Sequence, residues 1–445
     1  MLHGDEDPDL TEIRSSTNDK VDFHDPRAVR QLTASLLKRE FGLVVDLPPD
    51  RLCPPTSRYL YVRWIQDLVE SIIPSYYDSF DVKSTSPRPN PNKHRQVIGL
   101  DIGCGASCIY TLLALKTRPT WRMNATDIDP LNFSHALRNV QANGFSPRCH
   151  VMKTKPNDPL IPLVALELEH LDFTICNPPF FSSVEEWKAS ITGEGKAKGP
   201  NSVCTGAQVE MVTEGGDLGF VLRMVEESRS LGEKVAWYTS MLGKLSSTIK
   251  LVERLKEIGC KNWAVCCLGA QHKTRRWAVG WSWRDLRPSA EIARRDMNIK
   301  HILPLPADYK LPISDIPLER FTKSIDETMH NLALQWKWNE TLRLGYGRAA
   351  KNVWSRSARR KRKREEAGRQ PTELKETEKN DGSENDIALG FEIRVHADEL
   401  VIRWVQGRDQ VLFESFCGMM KQTLQPMLAK REKELSKQNS EANTN

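Results

Sequence analysis

The 445-residue sequence has no apolar run approaching the roughly eighteen residues that a membrane-crossing helix requires. Its ten cysteines include no Cys-x-x-Cys pair, since Cys104 and Cys108 are four apart and Cys266 and Cys267 are adjacent. That spacing fits neither a zinc site nor a secreted disulfide framework, so no metal is expected and the thiols should be free and packed. The N-terminus lacks the basic and apolar regions of a secretory signal and is acidic instead, with Asp5, Glu6, Asp7, Asp9 and Glu12. The chain therefore reads as intracellular. Two nucleotide signatures are also missing. No lysine suits a phosphate loop, and Cys108 stands where a dinucleotide fingerprint would place its third glycine after Gly105. A pyrophosphate cradle is thus disfavoured. No internal repeat is found.

What is present is a 39% hydrophobic and 27% charged chain, long enough for two or three domains with a sizeable core. The net charge of +6 is a local property. Residues 348–364 alone carry nine basic and no acidic side chains, so the remainder is net acidic. A phosphate backbone or a nuclear import receptor is the natural partner of such a run.

Residues 1–22 read as disordered. Asp25-Pro26 then opens a helix running through Val29, Leu32, Leu36 and Leu37 to Gly42, and a second helix starts near Arg58. The Pro- and Asn-rich stretch 84–94 reads as a linker. From Val97 short apolar runs alternate with amphipathic segments, the pattern of a doubly wound α/β sheet. Strands are predicted at 97–101, 121–126, 149–152, 173–176, 235–241, 263–268 and 277–283, and helices at 107–116, 130–143, 218–231 and 245–258. Residues 182–216 read as an irregular functional loop, and 364–386 as a flexible linker. Farther on, Phe391, Ile393 and Val395, then Leu400, Ile402 and Trp404, and a helical spacing over 411–427 predict a small β-β-α unit of about forty residues. That size needs another surface for stability.

Leu100-Asp101-Ile102-Gly103-Cys104-Gly105-Ala106-Ser107 joins the first strand to a helix, and its glycines permit a sharp turn and close ligand approach. The second strand ends Ala125-Thr126-Asp127-Ile128-Asp129. A carboxylate there can accept hydrogen bonds from ribose hydroxyls; Asp127 is preferred, with Asp129 as its alternative. The most specific feature is Asn177-Pro178-Pro179-Phe180 after the apolar run Phe173-Thr174-Ile175-Cys176. An amino group conjugated to a purine is a poor nucleophile because its lone pair is delocalised. The Asn177 side-chain carbonyl and the Pro178 backbone carbonyl can each accept one amino hydrogen, turning the lone pair toward an electrophile. The prolines stiffen the corner beforehand, and Phe180 offers a flat face to an extruded base.

These segments, together with FHDPRAVRQLTASLLKREFGL, RYLYVRWIQDLV, the Glu214-Gly215-Gly216 turn, WYTSMLGK and TRRWAVGWSW, resemble the U6 small nuclear RNA adenine-N6 methyltransferase family, which is related to bacterial enzymes acting on an adenine of large-subunit ribosomal RNA. The likeness spans about residues 21–286. It implies a class I (Rossmann-like) methyltransferase fold, S-adenosylmethionine as cofactor, and structured RNA, U6 above all, as substrate. Arg58 would then pair with the carboxylate of the cofactor's methionine portion. Asp101, Gly103, Ser107, Asp127 and Asn177 would line the cofactor site, Asn177 to Phe180 would be catalytic, and Arg275 and Arg276 would lie near the RNA. Two departures stand out. Vertebrate members begin with a basic segment, whereas this N-terminus is acidic, and they carry a long C-terminal RNA-binding region. Lys351, Arg356, Arg359, Arg360, Lys361 and Arg362 could substitute as RNA contacts, with Trp354 stacking on a base, while Arg359 to Arg364 also reads as a nuclear import signal. The resulting plan is a helical extension over 23–94, a methyltransferase domain over 95–290 extended to 347, a basic and charged linker over 348–386, the accessory unit over 387–430 and a disordered tail over 431–445. Two alternatives remain open: methylation of a protein glutamine amide, which Asn-Pro-Pro-Tyr sites perform, and an RNA-binding scaffold that has lost turnover.

Overall fold

The computed structural model describes residues 25–49, 51, 55–71, 80, 96–192, 207–269, 275–297, 299–313, 317–367 and 387–442. The readings on 1–22, 84–94 and 368–386 lie outside the described residues. What is described falls into two compact units, one drawn from Met1–Glu70, Pro89–Arg284 and Ile292–Pro304, the other from Ser71–Arg88, Asp285–Glu291 and Leu305–Asn445.

In the first unit, α1 (Pro26–Phe41) starts where the Asp25 carboxylate accepts the Arg27 N–H, and it stops at Gly42, whose left-handed backbone donates back to Leu37 and Lys38. α2 (Pro55–Glu70) begins three residues before the expected Arg58. Seven strands follow, β1 (Ile98–Ile102), β2 (Arg122–Asp127), β3 (Cys149–Lys153), β4 (Leu171–Cys176), β5 (Val235–Leu242), β6 (Asn262–Leu268) and β7 (Arg276–Ser282), each within two residues of its expected position. The helices between them are α3 (Ile109–Thr117), α4 (Pro130–Ala142), α5 (Val184–Thr192), α6 (Gln208–Met211), α7 (Gly216–Leu231) and α8 (Leu245–Glu257). The strands form one sheet in the order β3-β2-β1-β4-β5-β7-β6. Its first five strands are parallel, and β7 runs antiparallel between β5 and β6.

Helices cover both faces, which is why the central strands read as continuous apolar runs: every residue of β4, β5 and β6 is buried. On one face α2 and α3 bury Tyr61, Trp64, Ile65, Leu112 and Leu113 against Phe173, Ile175 and Trp237. On the other, Val221, Met224, Leu251 and Leu255 of α7 and α8 pack on Leu100, Tyr238 and Trp281. Helix α3 is buried from Ile109 through Leu115 because it packs against both the sheet and α2. The Tyr61 hydroxyl shares a 2.7 Å hydrogen bond with Thr239 of β5, and Trp64 Nε1 donates to the Ile292 carbonyl at 3.0 Å. The N-terminal helices are thus part of the core.

The second unit is a five-stranded antiparallel sheet in the order β8-β12-β11-β10-β9. Its strands are β8 (Asp308–Pro312), β9 (Gln335–Asn339), β10 (Leu344–Ala349), β11 (Leu389–Val395) and β12 (Glu399–Gln406), and its helices are α9 (Leu318–His330), α10 (Arg356–Ala367) and α11 (Gln410–Ala442). The expected β-β-α segment is present as β11, β12 and α11, but it is embedded here. Phe391, Ile393, Trp404 and Phe416 share a core with Phe321, Ile325 and Met329 of α9 and with Trp354. This supplies the surface that a forty-residue unit lacked. Three expectations shift accordingly. Residues 305–347 belong to this unit, Arg348 lies in β10 with α10 helical beyond it, and α11 continues over residues read as a tail. Likewise, α5 and α6 occupy parts of the segment read as irregular; in α5 the apolar residues Val184, Trp187 and Ile191 recur at helical spacing.

Candidate active site

The chain leaves β1 for β2 and β3, then returns to the other side of β1 as β4. At such a reversal an open sheet takes its ligand beyond the carboxyl ends of the strands. Ile102 pairs with Thr126 of β2 and with Cys176 of β4. Gly103, Asp127 and Asn177 therefore stand one step past the same rung, although they come from distant parts of the sequence.

Gly103 and Gly105 adopt left-handed φ values of 68° and 64°, which side chains rarely tolerate. A Cβ built on Gly103 meets nothing within 4 Å, so the space in front of the turn is open. The turn is tied to β2: Gly105 N–H donates to Asp127 Oδ2 at 2.8 Å, and Asp129 N–H donates to Asp127 Oδ1 at 2.9 Å. Asp129 itself caps α4, accepting from the Leu131 and Asn132 N–H groups at 2.8 and 3.0 Å. Geometry thus separates the two acids, with Asp127 facing the turn. Burial raises the Asp127 carboxyl from its ordinary range, against the hydrogen bonds from Asp129 and Gly105. Asp101 is fully buried and accepts from the Thr111 hydroxyl at 2.9 Å, while its Oδ1 has no partner. Burial pushes its carboxyl up to about 7, helped by the negative charge of Asp127. Ser107 is buried within the turn, and Arg58 lies half-buried in the first part of α2.

Across the crevice, Asn177 is half-buried and its carboxamide oxygen is buried without a hydrogen-bond partner. Such an acceptor is costly unless a ligand donor meets it. Pro178 is buried and Phe180 half-buried. The Phe180 ring packs so closely on Gly243 that a Cβ there would fall 2.7 Å from its Cδ1. Gly243 is held by its N–H to Asp217 Oδ2 at 2.8 Å, and the other Asp217 oxygen accepts from Ser247 at 2.8 Å. The Arg276 guanidinium lies over the Phe180 ring at 5.3 Å. Beyond the corner, Phe181 N–H donates to Met211 at 2.9 Å and its carbonyl accepts from Thr213 at 3.0 Å. Ser182 and Lys244 both donate to Glu186, pulling that carboxyl down to about 2 with Lys244 as the largest influence.

The sequence-derived residues thus divide. Asp101, Gly103, Ser107, Asp127, Asn177 to Phe180 and Arg276 belong to the carboxyl edge of the first sheet, with Arg275 exposed beside Arg276. Lys351, Arg356, Arg359, Arg360 and Lys361 are exposed and Arg362 half-buried, all in the second unit, on or just before α10. Trp354 corrects an expectation: it is 1% exposed, donates to Ser415 Oγ and packs edge-on against Phe416, so it is a core residue with no face for a base. Sequence reasoning missed Arg51, Asn132, Glu210 and Asp217. Asn132, 0% exposed, accepts from Arg51 Nε at 3.1 Å and donates to Glu210 Oε1 at 2.7 Å and to Asp127 Oδ1 at 3.4 Å. Nothing local marks these residues, since 78 positions separate Asn132 from Glu210. The eight described cysteines are free, seven of them buried, and no metal-holding cluster occurs among the described residues.

The crevice is rich in acceptors, which suits a ligand presenting hydroxyl and amino hydrogens. A family model described as RNA methyltransferase matches residues 7–285. The U6 small nuclear RNA (adenine-(43)-N(6))-methyltransferase of Schizosaccharomyces pombe is 30% identical over 415 residues, covering 92% of this chain and 97% of that protein. RNA N(6)-adenosine-methyltransferase METTL16 of Homo sapiens is 33% identical over 420 residues, 86% of this chain and 71% of that one. Among solved structures, the hMettl16 catalytic domain in complex with MAT2A 3′UTR hairpin 1 superposes with a TM-score of 0.53 at 35% identity, covering 63% of this chain and 89% of that one. The sheet order, the acceptor-lined crevice at its reversal point and a family match over more than half the sequence lead to one conclusion: the chain belongs to the RNA methyltransferase family.

Proposed function

We propose that the protein transfers a methyl group from S-adenosylmethionine to the N6 amine of an adenine in structured RNA, with U6 small nuclear RNA as its substrate. The observation that carries this reading is the unpartnered, buried carboxamide oxygen of Asn177, one step past the rung that also presents Gly103 and Asp127. The cofactor, when bound, supplies an electrophilic sulfonium methyl. The chain supplies everything that positions the amine. Asn177 Oδ1 and the Pro178 carbonyl accept its two hydrogens, and they bind more strongly as the nitrogen gains positive charge. Preorganised groups of this kind lower a barrier by about 3–4 kcal/mol. Phe180, braced by Gly243, stacks on the extruded base, worth about 1–3 kcal/mol. On the cofactor side Asp127 accepts from the ribose hydroxyls, Gly103 and Ser107 line the turn, Asp101 lies behind it, and Arg58 pairs with the methionine carboxylate.

Arg275, Arg276 and the basic side chains from Lys351 through Arg362 would contact RNA phosphates, and Arg359 to Arg364 would also engage a nuclear import receptor, making the protein nuclear. The names of the fungal and human relatives support adenine N6 as the target and, for the fungal protein, U6 as the RNA. Incubation of purified protein with labelled cofactor and a U6-like hairpin tests the proposal, alongside Asn177→Ala and a hairpin whose target adenine is replaced. Label is expected only with the wild-type pair. No label on the wild-type hairpin would remove the enzyme reading in favour of a binding scaffold, and label on protein glutamine would redirect it to the amide alternative.

A further inference from the structure

The segment 207–216 is held in the first unit by two anchors three residues apart. At one, Glu210 forms a 3.1 Å ion pair with Arg51, accepts from Asn132 Nδ2 at 2.7 Å and accepts from the Ala207 N–H at 3.1 Å. At the other, Thr213 and Met211 bracket Phe181 through the two backbone hydrogen bonds of a parallel bridge between Phe181 and Val212. The first anchor lies on the cofactor side of the crevice. Glu210 Oε1 comes within 3.7 Å of a Cβ built on Gly105, and Asn132 divides its amide nitrogen between Glu210 and Asp127. The second anchor holds the residue that directly follows the catalytic tetrapeptide.

We propose that Glu210 is a positioning residue for cofactor binding, which sets the Asp127 carboxylate through Asn132 and anchors the cofactor end of the short α6 segment that leads to the Phe181 bridge. The inference rests on the methyltransferase reading above. Asn132 is fully buried, so its two amide hydrogens must find acceptors, and both the acceptors found are carboxylates of this crevice. Arg51 is 5% exposed and sits against the same Glu210 oxygen, which fixes that oxygen's position. Removing the Glu210 carboxylate frees Asn132 to turn wholly onto Asp127, occupying lone pairs that the ribose hydroxyls need. It also releases the strap at its cofactor end while leaving the Phe181 bridge intact.

The test is the affinity of the full chain for S-adenosylhomocysteine, measured by calorimetry without RNA, followed by kinetics with a U6-like hairpin. Glu210→Ala is expected to weaken binding about tenfold and to raise the cofactor KM by a similar factor, in the range of typical coupling between sites. Its kcat at saturating cofactor should stay within about threefold of wild type. Glu210→Gln, which keeps an acceptor for Asn132 but loses the charge facing Arg51, should weaken binding about threefold, a partial rescue that a purely structural role would not produce. Equal affinity in wild type and both variants, with only a lower melting temperature, overturns the proposal. Should Glu210→Ala fail to fold, Glu210→Gln decides alone by the same criterion. A wild-type chain that binds no S-adenosylhomocysteine overturns the methyltransferase reading and this inference with it, whereas a binding wild type with unaffected variants overturns this inference only.

Discussion

At the scale of single residues, the crevice stores unfavourable polar burial that a ligand relieves. Asn177 is the sharpest case. Asn177→Ala removes the orphaned acceptor and should lower kcat by about two to three orders of magnitude, the usual loss for one preorganised group, while the melting temperature stays level or rises. Activity near that of wild type in the labelled-hairpin assay would sink the assigned role. Gly243→Ala probes the stacking face separately. Its backbone lies outside the left-handed region, but the new methyl would meet the Phe180 ring, so the ring must shift. Methyl transfer should fall at least tenfold with cofactor affinity unchanged, for base stacking contributes about 1–3 kcal/mol. Asp101 gives a pH signature. Burial lifts its carboxyl from 3.8 to about 7 on folding, so both states hold the proton only well below 3.8. As pH rises, the unfolded chain ionises first and stability falls, by up to about 1.4 kcal/mol per pH unit, until the folded carboxyl also ionises near 7. Urea unfolding without cofactor should show this decline in the wild type and a shallower one in Asp101→Asn. Parallel slopes would contradict it.

At the scale of elements, strand register assembles the site. β1 pairs with β2 and β4 at one level, and the loops beyond that level meet as a consequence. The strap 207–216 reaches the site without being a strand end. Thr213→Pro deletes the N–H that donates to the Phe181 carbonyl and leaves every strand of the seven-stranded sheet intact. Turnover on the hairpin should fall about tenfold or more while far-ultraviolet circular dichroism remains that of the wild type. Undiminished turnover would mean that the bridge does not hold the tetrapeptide. The strands of this sheet and helices α3, α4, α7 and α8 were legible from apolar runs and glycine stops, whereas α5 and α6 were not. The network of Arg51, Asn132 and Glu210 was not, because each of those residues looks locally like an ordinary solvated polar side chain.

At the scale of the whole molecule, the basic run has its own address. Arg356 to Arg364 lie on α10 of the second unit, a helix whose described arginines are mostly exposed and so available to a polyanion. Replacing the six consecutive basic residues 359–364 by alanine should flatten the salt dependence of RNA binding, roughly in proportion to the phosphates released, and should exclude a fluorescent fusion from the nucleus. An unchanged salt slope would remove the RNA contact, and unchanged nuclear accumulation would remove the import role. The second unit also shows how a local reading can be right in its parts and incomplete as a whole. β11, β12 and α11 follow from alternation and helical spacing, yet their partners β8, β9 and β10 lie far upstream, and no periodicity announces which distant strands will pair.

The sequence by itself determined the seven strands of the first sheet, the glycine turn after β1, the acidic end of β2 and the Asn-Pro-Pro-Phe corner, because each depends on backbone preferences and chemistry within a few residues. Tertiary structure alone decided that Gly103, Asp127 and Asn177 stand one step past one rung, that Asp127 faces the turn while Asp129 caps a helix, that Trp354 is core, and that Glu210 reaches Asn132 beside Asp127. Those outcomes depend on which surfaces are buried together. Burial is a property of the packed chain, and no short stretch of residues carries it.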